Sequence, residues 1–172
     1  MTHTVHARID GALVMIGFGS IGRGTLPLIE RHIGFDPARF TVIEPSDEFA
    51  HLLHDHGIRH VQVALTADNF AEVLRGLFPD GRGMIVNLSV DVDSIELMKL
   101  AQEIGVPRFL MVGNKVLGDN DLAFIAEHSD DMPLAGYFPV DDRVSLADRE
   151  GIPVYDAVPE FVAIAQRIAA QI

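Results

Sequence analysis

The chain has 172 residues, a formal charge of −12 and no cysteine. That length suits one domain and allows a core that removes roughly 70% of the unfolded chain's surface from water. The charge argues against phosphate-backbone and anionic-membrane partners, and the missing cysteine excludes disulfides, thiolate metal sites and a cysteine nucleophile.

In chain order, apolar runs predict buried strands at 12–17, 40–44, 60–65, 83–89, 108–114 and 133–139. Between them, segments of helical period predict helices over 20–32, 47–56, 67–78, 93–104, 119–128 and 157–171. Helix starts are expected at Ser20, at Pro45-Ser46-Asp47, at Thr66-Ala67-Asp68 and at Asp93-Ser94. Gly34, Gly57, Gly105 and Gly151 read as stops or loops. Short, continuously apolar strands alternating with helices imply a parallel sheet covered on both faces. The expected fold class is therefore α/β, a doubly wound, three-layer, Rossmann-like parallel sheet, with residues 1–172 forming a single domain.

The stretch Gly17-Phe18-Gly19-Ser20-Ile21-Gly22 falls between the first strand and the first helix. A G-x-G-x-x-G sequence in that position fits a dinucleotide fingerprint. Gly17 permits a tight turn, Gly19 lets the backbone approach a pyrophosphate, and Gly22 lets the helix pack close to the sheet. The uncapped N–H groups and the dipole at the helix start then face the phosphates. The fingerprint also wants an acid at the end of the second strand, where "FTVIE" supplies Glu44. Its carboxylate suits ribose hydroxyls and repels a 2′-phosphate, which favours NAD over NADP; Arg23 offers partial neutralisation of phosphate charge. The alternatives are a ligand-free strand-to-helix turn, and a Glu44 placed only to favour the next helix.

Other clusters point to structure more than to chemistry. His51, His54, His56 and His60 fall within ten residues, but their spacing fits a solvated helix end better than a metal site. "SVDVDS" is better read as an N-cap at Asp93 than as a magnesium site, and the Asp-Asp pairs at 130–131 and 141–142 read as turns. No Ser-His-Asp arrangement can be inferred, and no residue is assigned a catalytic role. The start "MTHTVHARID" lacks the apolar stretch of a signal peptide and no run approaches ~20 apolar residues, so a cytoplasmic protein without a membrane partner is expected. A free edge strand leaves a homodimer open.

The segments "VMIGFGSIGRGTLPLIERH", "FTVIEPSD", "GIRHVQVALTADNF" and "VNLSVDVDSIELMKLAQEIGV" together resemble the amino-terminal part of bacterial homospermidine synthases, over about residues 7–106. That resemblance implies an NAD-binding Rossmann portion, in a family that uses NAD as a recycled hydride carrier while joining aminobutyl groups. It implies that Gly17, Phe18, Gly19, Ser20, Ile21 and Gly22 form the pyrophosphate turn and that Glu44 is the ribose acid, where an aspartate would be expected. It also implies that Asn87, Leu88 and Ser89 flank the nicotinamide; strand-end capping is the alternative for Asn87 and Ser89.

Beyond about residue 106 the chain instead resembles the carboxyl-terminal part of a MinD-like P-loop ATPase, of the kind that inserts nickel into carbon monoxide dehydrogenase. The matching pieces include "VGNKV" and "MPLAGYFPVDDRV". By that resemblance Asn114 and the region from Pro139 to Asp142 would contact adenine. No G-x-x-x-x-G-K-[ST] sequence accompanies them, so a polar loop after a strand is the simpler reading of Asn114 and Lys115. A dinucleotide-binding half at 1–106 joined to a P-loop-ATPase-like half at 107–172 implies an engineered chimera. The chain is expected to bind NAD without a complete catalytic site. A short NAD-dependent oxidoreductase and a ligand-free scaffold are the competing expectations.

Overall fold

The computed structural model describes residues 4–66, 68–89, 92–103, 110–129 and 132–171. The chain divides into two compact units, Met1–Pro107 and Arg108–Ile172. Each is built from parallel strands and helices, and the first has an α/β architecture of Rossmann type.

In the first unit, the strands β2 (Ala12–Ile16), β4 (Phe40–Ile43), β5 (Arg59–Val61) and β6 (Gly83–Asn87) form one parallel sheet in the order β5-β4-β2-β6. Parallel neighbours need crossovers. These are supplied by α1 (Ser20–His32), α2 (Ala50–Asp55) and α3 (Phe70–Leu77), with α4 (Ser94–Glu103) following β6. The chain moves outward from β2 through β4 to β5, then returns to the other side of β2 as β6. A short parallel pair, β1 (Ala7–Arg8) with β3 (Ile33–Gly34), ties the start of the chain to the end of α1.

The core explains why β2 is apolar at every position. Ala12, Val14 and Ile16 pack on one face with Leu74 and Phe78 of the α3 region and with Leu97 and Leu100 of α4. Leu13 and Met15 pack on the other with Leu26 and Ile29 of α1 and with Leu53 of α2. Side chains alternate across a strand, so covering both faces demands hydrophobes at both parities. Pro27 lies inside α1. It has no N–H for the carbonyl one turn before it, so that turn runs with one hydrogen bond fewer.

The second unit pairs β7 (Met111–Val116) with β8 (Leu134–Pro139) in parallel, with a register shift between Asn114 and Val116. Lys115 sits at that shift with φ +56°. The helices are α5 (Asp119–Glu127), α6 (Asp142–Glu150), α7 (Val154–Ala157) and α8 (Pro159–Ala169).

Some elements differ from the sequence expectations. The strand expected at 60–65 is only Arg59–Val61, and the second helix begins at Ala50 rather than 47. Residues 141–142 are not a turn: Asp141 caps α6, accepting the Arg143 N–H at 2.9 Å, and Gly151 ends the helix at φ +66°. Helix α1 does start at Ser20, as expected, with Gly19 as its N-cap residue. The pair at 130–131 lies outside the described residues. Among the described residues no helix is long and apolar enough to cross a membrane.

Candidate functional site

Strand register gathers the predicted residues at one end of the first unit's sheet. Ile16 is level with Ile43 on one side and with Asn87 on the other. The glycine turn, Glu44 and the segment 87–89 therefore all leave the sheet at its carboxyl end. The strand order changes direction there, the place where open α/β sheets form a ligand crevice.

The turn is built by its glycines. Gly17 has φ +91°, a conformation a side chain rarely tolerates. A Cβ on residue 22 would stand 2.5 Å from the Gly17 carbonyl oxygen, so α1 can lie this close only with glycine there. Phe18 between them is 2% exposed and anchors the turn in the core beneath α1. A Cβ on Gly19 would meet nothing within 4 Å, so the backbone there faces open space. No side chain caps α1 and its first turn carries no acid, so the helix itself supplies no counter-charge for its positive dipole end. Ile21, in that same turn, is exposed.

Glu44 does more than end its strand. One carboxylate oxygen accepts the Phe18 N–H at 2.7 Å and the other accepts the Ser46 N–H at 3.0 Å. Its own backbone is held from β5 and the residue following it: its N–H donates to the Val61 carbonyl at 3.2 Å, its carbonyl accepts from His60 Nε2 at 2.8 Å, and Gln62 donates to the Pro45 carbonyl at 3.3 Å. Sequence reasoning missed His60 and Gln62 as supports, although their spacing of two places them on one side of the chain. Arg23 stacks its guanidinium 3.7 Å above the Phe49 ring and donates from Nε to the Gly19 carbonyl, beside the turn.

On the other flank, Asn87 accepts the Ser89 N–H at 3.1 Å and donates to the Val92 carbonyl at 3.0 Å. Leu88 donates its N–H to the Ile16 carbonyl at 2.8 Å and packs against the core. The Ser89 amide nitrogen lies 3.1 Å from where a Gly17 Cβ would stand, so the two segments touch. A cavity of about 130 Å³ opens between Gly17, Glu44, Val63, Leu65, Ser89 and Val92. Whole-ligand pockets span roughly 300–1,000 Å³, so this cavity is too small to enclose a whole dinucleotide. These features fit such a ligand: an exposed glycine backbone, an uncapped helix start, and a carboxylate beside a cavity.

The remaining candidates fall elsewhere. Asp93 Oδ1 accepts the Ile95 and Glu96 N–H groups at 2.7 and 3.3 Å and so caps α4. His51 and His54 lie on α2, His56 pairs with Glu30, and His60 supports Glu44. Among the described residues no three potential metal ligands converge. In the second unit, Asn114 lies on β7, and Asp141 holds Arg143 through both its oxygens. Those contacts with Arg143, led by the side-chain hydrogen bonds, hold the Asp141 carboxyl below its usual range and raise the Arg143 guanidinium. A cavity of about 380 Å³ between β8 and α8 is lined in part by Pro139, from the region expected to contact adenine, and by no other predicted site residue.

Comparison with known proteins agrees with the fold of the first unit. The model of the family "saccharopine dehydrogenase NADP binding domain" matches residues 13–109, more than half of the chain. Homospermidine synthase of Blastochloris viridis is 55% identical over 103 residues, covering 59% of this chain and 22% of that protein. Homospermidine synthase of Mesorhizobium japonicum is 52% identical over 104 residues, covering 59% of this chain and 21% of that protein. The chain thus spans about a fifth of the length of these two relatives. Carbon monoxide dehydrogenase accessory protein CooC of Rhodospirillum rubrum is 26% identical over 113 residues, covering 59% of this chain and 43% of that protein. The chain belongs to the saccharopine dehydrogenase NADP binding domain family, and carries a Rossmann domain for a nicotinamide dinucleotide.

Proposed function

We propose that this chain binds NAD(H) across the turn from Gly17 to Gly22 and prefers it to NADP(H). The observation that carries the preference is the Glu44 carboxylate, fixed beside the cavity by the Phe18 and Ser46 amides. Asp47 and Glu48 follow it in sequence and add negative charge to the loop after β4. In this reading the open backbone at Gly19 and the first amides of α1 take the pyrophosphate, Glu44 takes the adenosine ribose, and Asn87, Leu88 and Ser89 border the nicotinamide side. The dinucleotide supplies hydride transfer when bound. The chain's part is to orient it: Glu44 and Asn87 each spend hydrogen bonds on shaping backbone, a holding role rather than proton transfer. We therefore read the chain as a cofactor-binding module without a complete catalytic site of its own.

Calorimetric titration with NAD, NADP and ATP tests this. NAD should bind more tightly than NADP, and Glu44→Ala should weaken NAD. Equal affinity for NAD and NADP would contradict the preference, and no heat from a folded protein would contradict binding.

A second reading concerns origin. The family match ends at residue 109 and the compact units divide between Pro107 and Arg108, which supports a chain recombined from two parents. An intact genomic gene encoding this two-part sequence would overturn it.

A further inference from the structure

We propose that Glu44 is the strap that holds the glycine turn in its binding shape, so that cofactor preference and turn geometry reside in one carboxylate. The inference rests on the NAD reading for its consequence, but the strap itself is independent of any ligand.

Three contacts hold the start of the turn at Gly17 and Phe18. The Phe18 side chain is buried, the Gly17 N–H donates to the Ile43 carbonyl at 2.9 Å, and the Phe18 N–H donates to Glu44 at 2.7 Å. The first two fix Gly17 and the Phe18 ring. The third sets the direction of the peptide that joins them, and so bears on where the backbone around Gly19 points. Glu44 makes this bond across 26 residues of sequence while its second oxygen holds the Ser46 N–H, so one carboxylate joins the pyrophosphate turn to the loop after β4. That loop is braced in turn by His60 on the Glu44 carbonyl and by Gln62 on the Pro45 carbonyl. A carboxylate oxygen accepts more than one hydrogen bond, so the strap leaves acceptor capacity for ribose hydroxyls.

A specificity change at this position therefore carries a penalty that charge alone would not produce. Removing the carboxylate removes its repulsion of a 2′-phosphate, but it also frees the Phe18 amide and loosens the surface that both cofactors share. Glutamine is an incomplete substitute: it keeps one acceptor oxygen, and its amide would face an N–H with another N–H.

Two measurements on wild type, Glu44→Ala and Glu44→Gln test the strap. The first is amide hydrogen exchange on the nucleotide-free protein. Exchange at Phe18 should accelerate about tenfold or more in Glu44→Ala, consistent with loss of a charge-assisted hydrogen bond, and less in Glu44→Gln. Protection across β2 and β4 should stay unchanged, which also shows that the variants fold. The second is titration with NAD and NADP. NAD affinity should fall about tenfold or more in Glu44→Ala without NADP rising to the wild-type NAD level. Unchanged Phe18 exchange would overturn the strap, as would a variant that gains NADP at wild-type NAD strength. Accelerated exchange in a protein whose wild type binds neither nucleotide would support the strap while contradicting the NAD reading.

Discussion

Gly22 lies directly against Gly17, with the carbonyl oxygen of residue 17 only 2.5 Å from the place a Cβ on residue 22 would take. The obstacle is backbone, at a residue held at φ +91°, so it cannot swing aside as a long side chain would. Gly22→Ala should therefore force α1 away from the sheet and destabilise the first unit by about 1–3 kcal/mol. Urea or thermal unfolding measures the loss, and nucleotide binding should weaken with it.

Gly19 makes the opposite case, because a Cβ there meets nothing within 4 Å and φ is −68°. Gly19→Val should fold with a stability cost under about 1 kcal/mol, the scale of a changed N-cap. It should nonetheless lose nucleotide binding, because the branched side chain occupies the space where phosphate oxygens would approach the backbone. A variant as stable as wild type that binds NAD normally would show that the ligand does not cross this turn.

Asp93 caps α4 through Oδ1. Asp93→Ala should cost about 1 kcal/mol through loss of the hydrogen bonds to the Ile95 and Glu96 amides at the start of α4. Magnesium added to the wild-type protein should leave its melting temperature unchanged, and a clear rise that Asp93→Ala abolishes would restore the metal reading.

Asp141 contributes a dependence on acid. The Arg143 side chain and N–H hold its carboxyl below the ordinary 3.8, so folding favours the ionised form. The stabilisation is complete above the unfolded pKa and is lost as pH falls through the lower folded value. The Asp141 contribution to stability should thus be constant through neutral pH and decline from about pH 4 downward, and Asp141→Asn should lower stability at neutral pH while removing that decline. Acid titration followed by circular dichroism reads both.

The alternation of parallel strands and helices in the first unit is legible because β2 and β4 are buried on both faces. At β2, Leu13 and Met15 are needed on one side as much as Val14 and Ile16 on the other. Helix α6 is not legible by the same means. Its sequence is mostly polar, Ala147 is its buried residue and Leu146 is exposed, so the apolar period is nearly absent. Asp141 and Gly151 were the usable signal, a cap at each end. At the candidate site, spacing marks Glu44 as an acid after the second strand. It cannot reveal that its carboxylate reaches back 26 residues to the Phe18 amide, because that bond depends on how β2 and β4 pair. Asn87 shows the same limit: its position at a strand end is readable, its bonds to the Ser89 amide and the Val92 carbonyl are not.

The most direct test of the central claim is amide mapping by NMR while NAD is added to the labelled protein. Binding across the glycine turn predicts shifts concentrated at residues 17–22, at 44–46, at 63–65 and at 87–89. Saturable shifts confined to residues 114–117 and 139–142, or none at all in a folded protein, would contradict it.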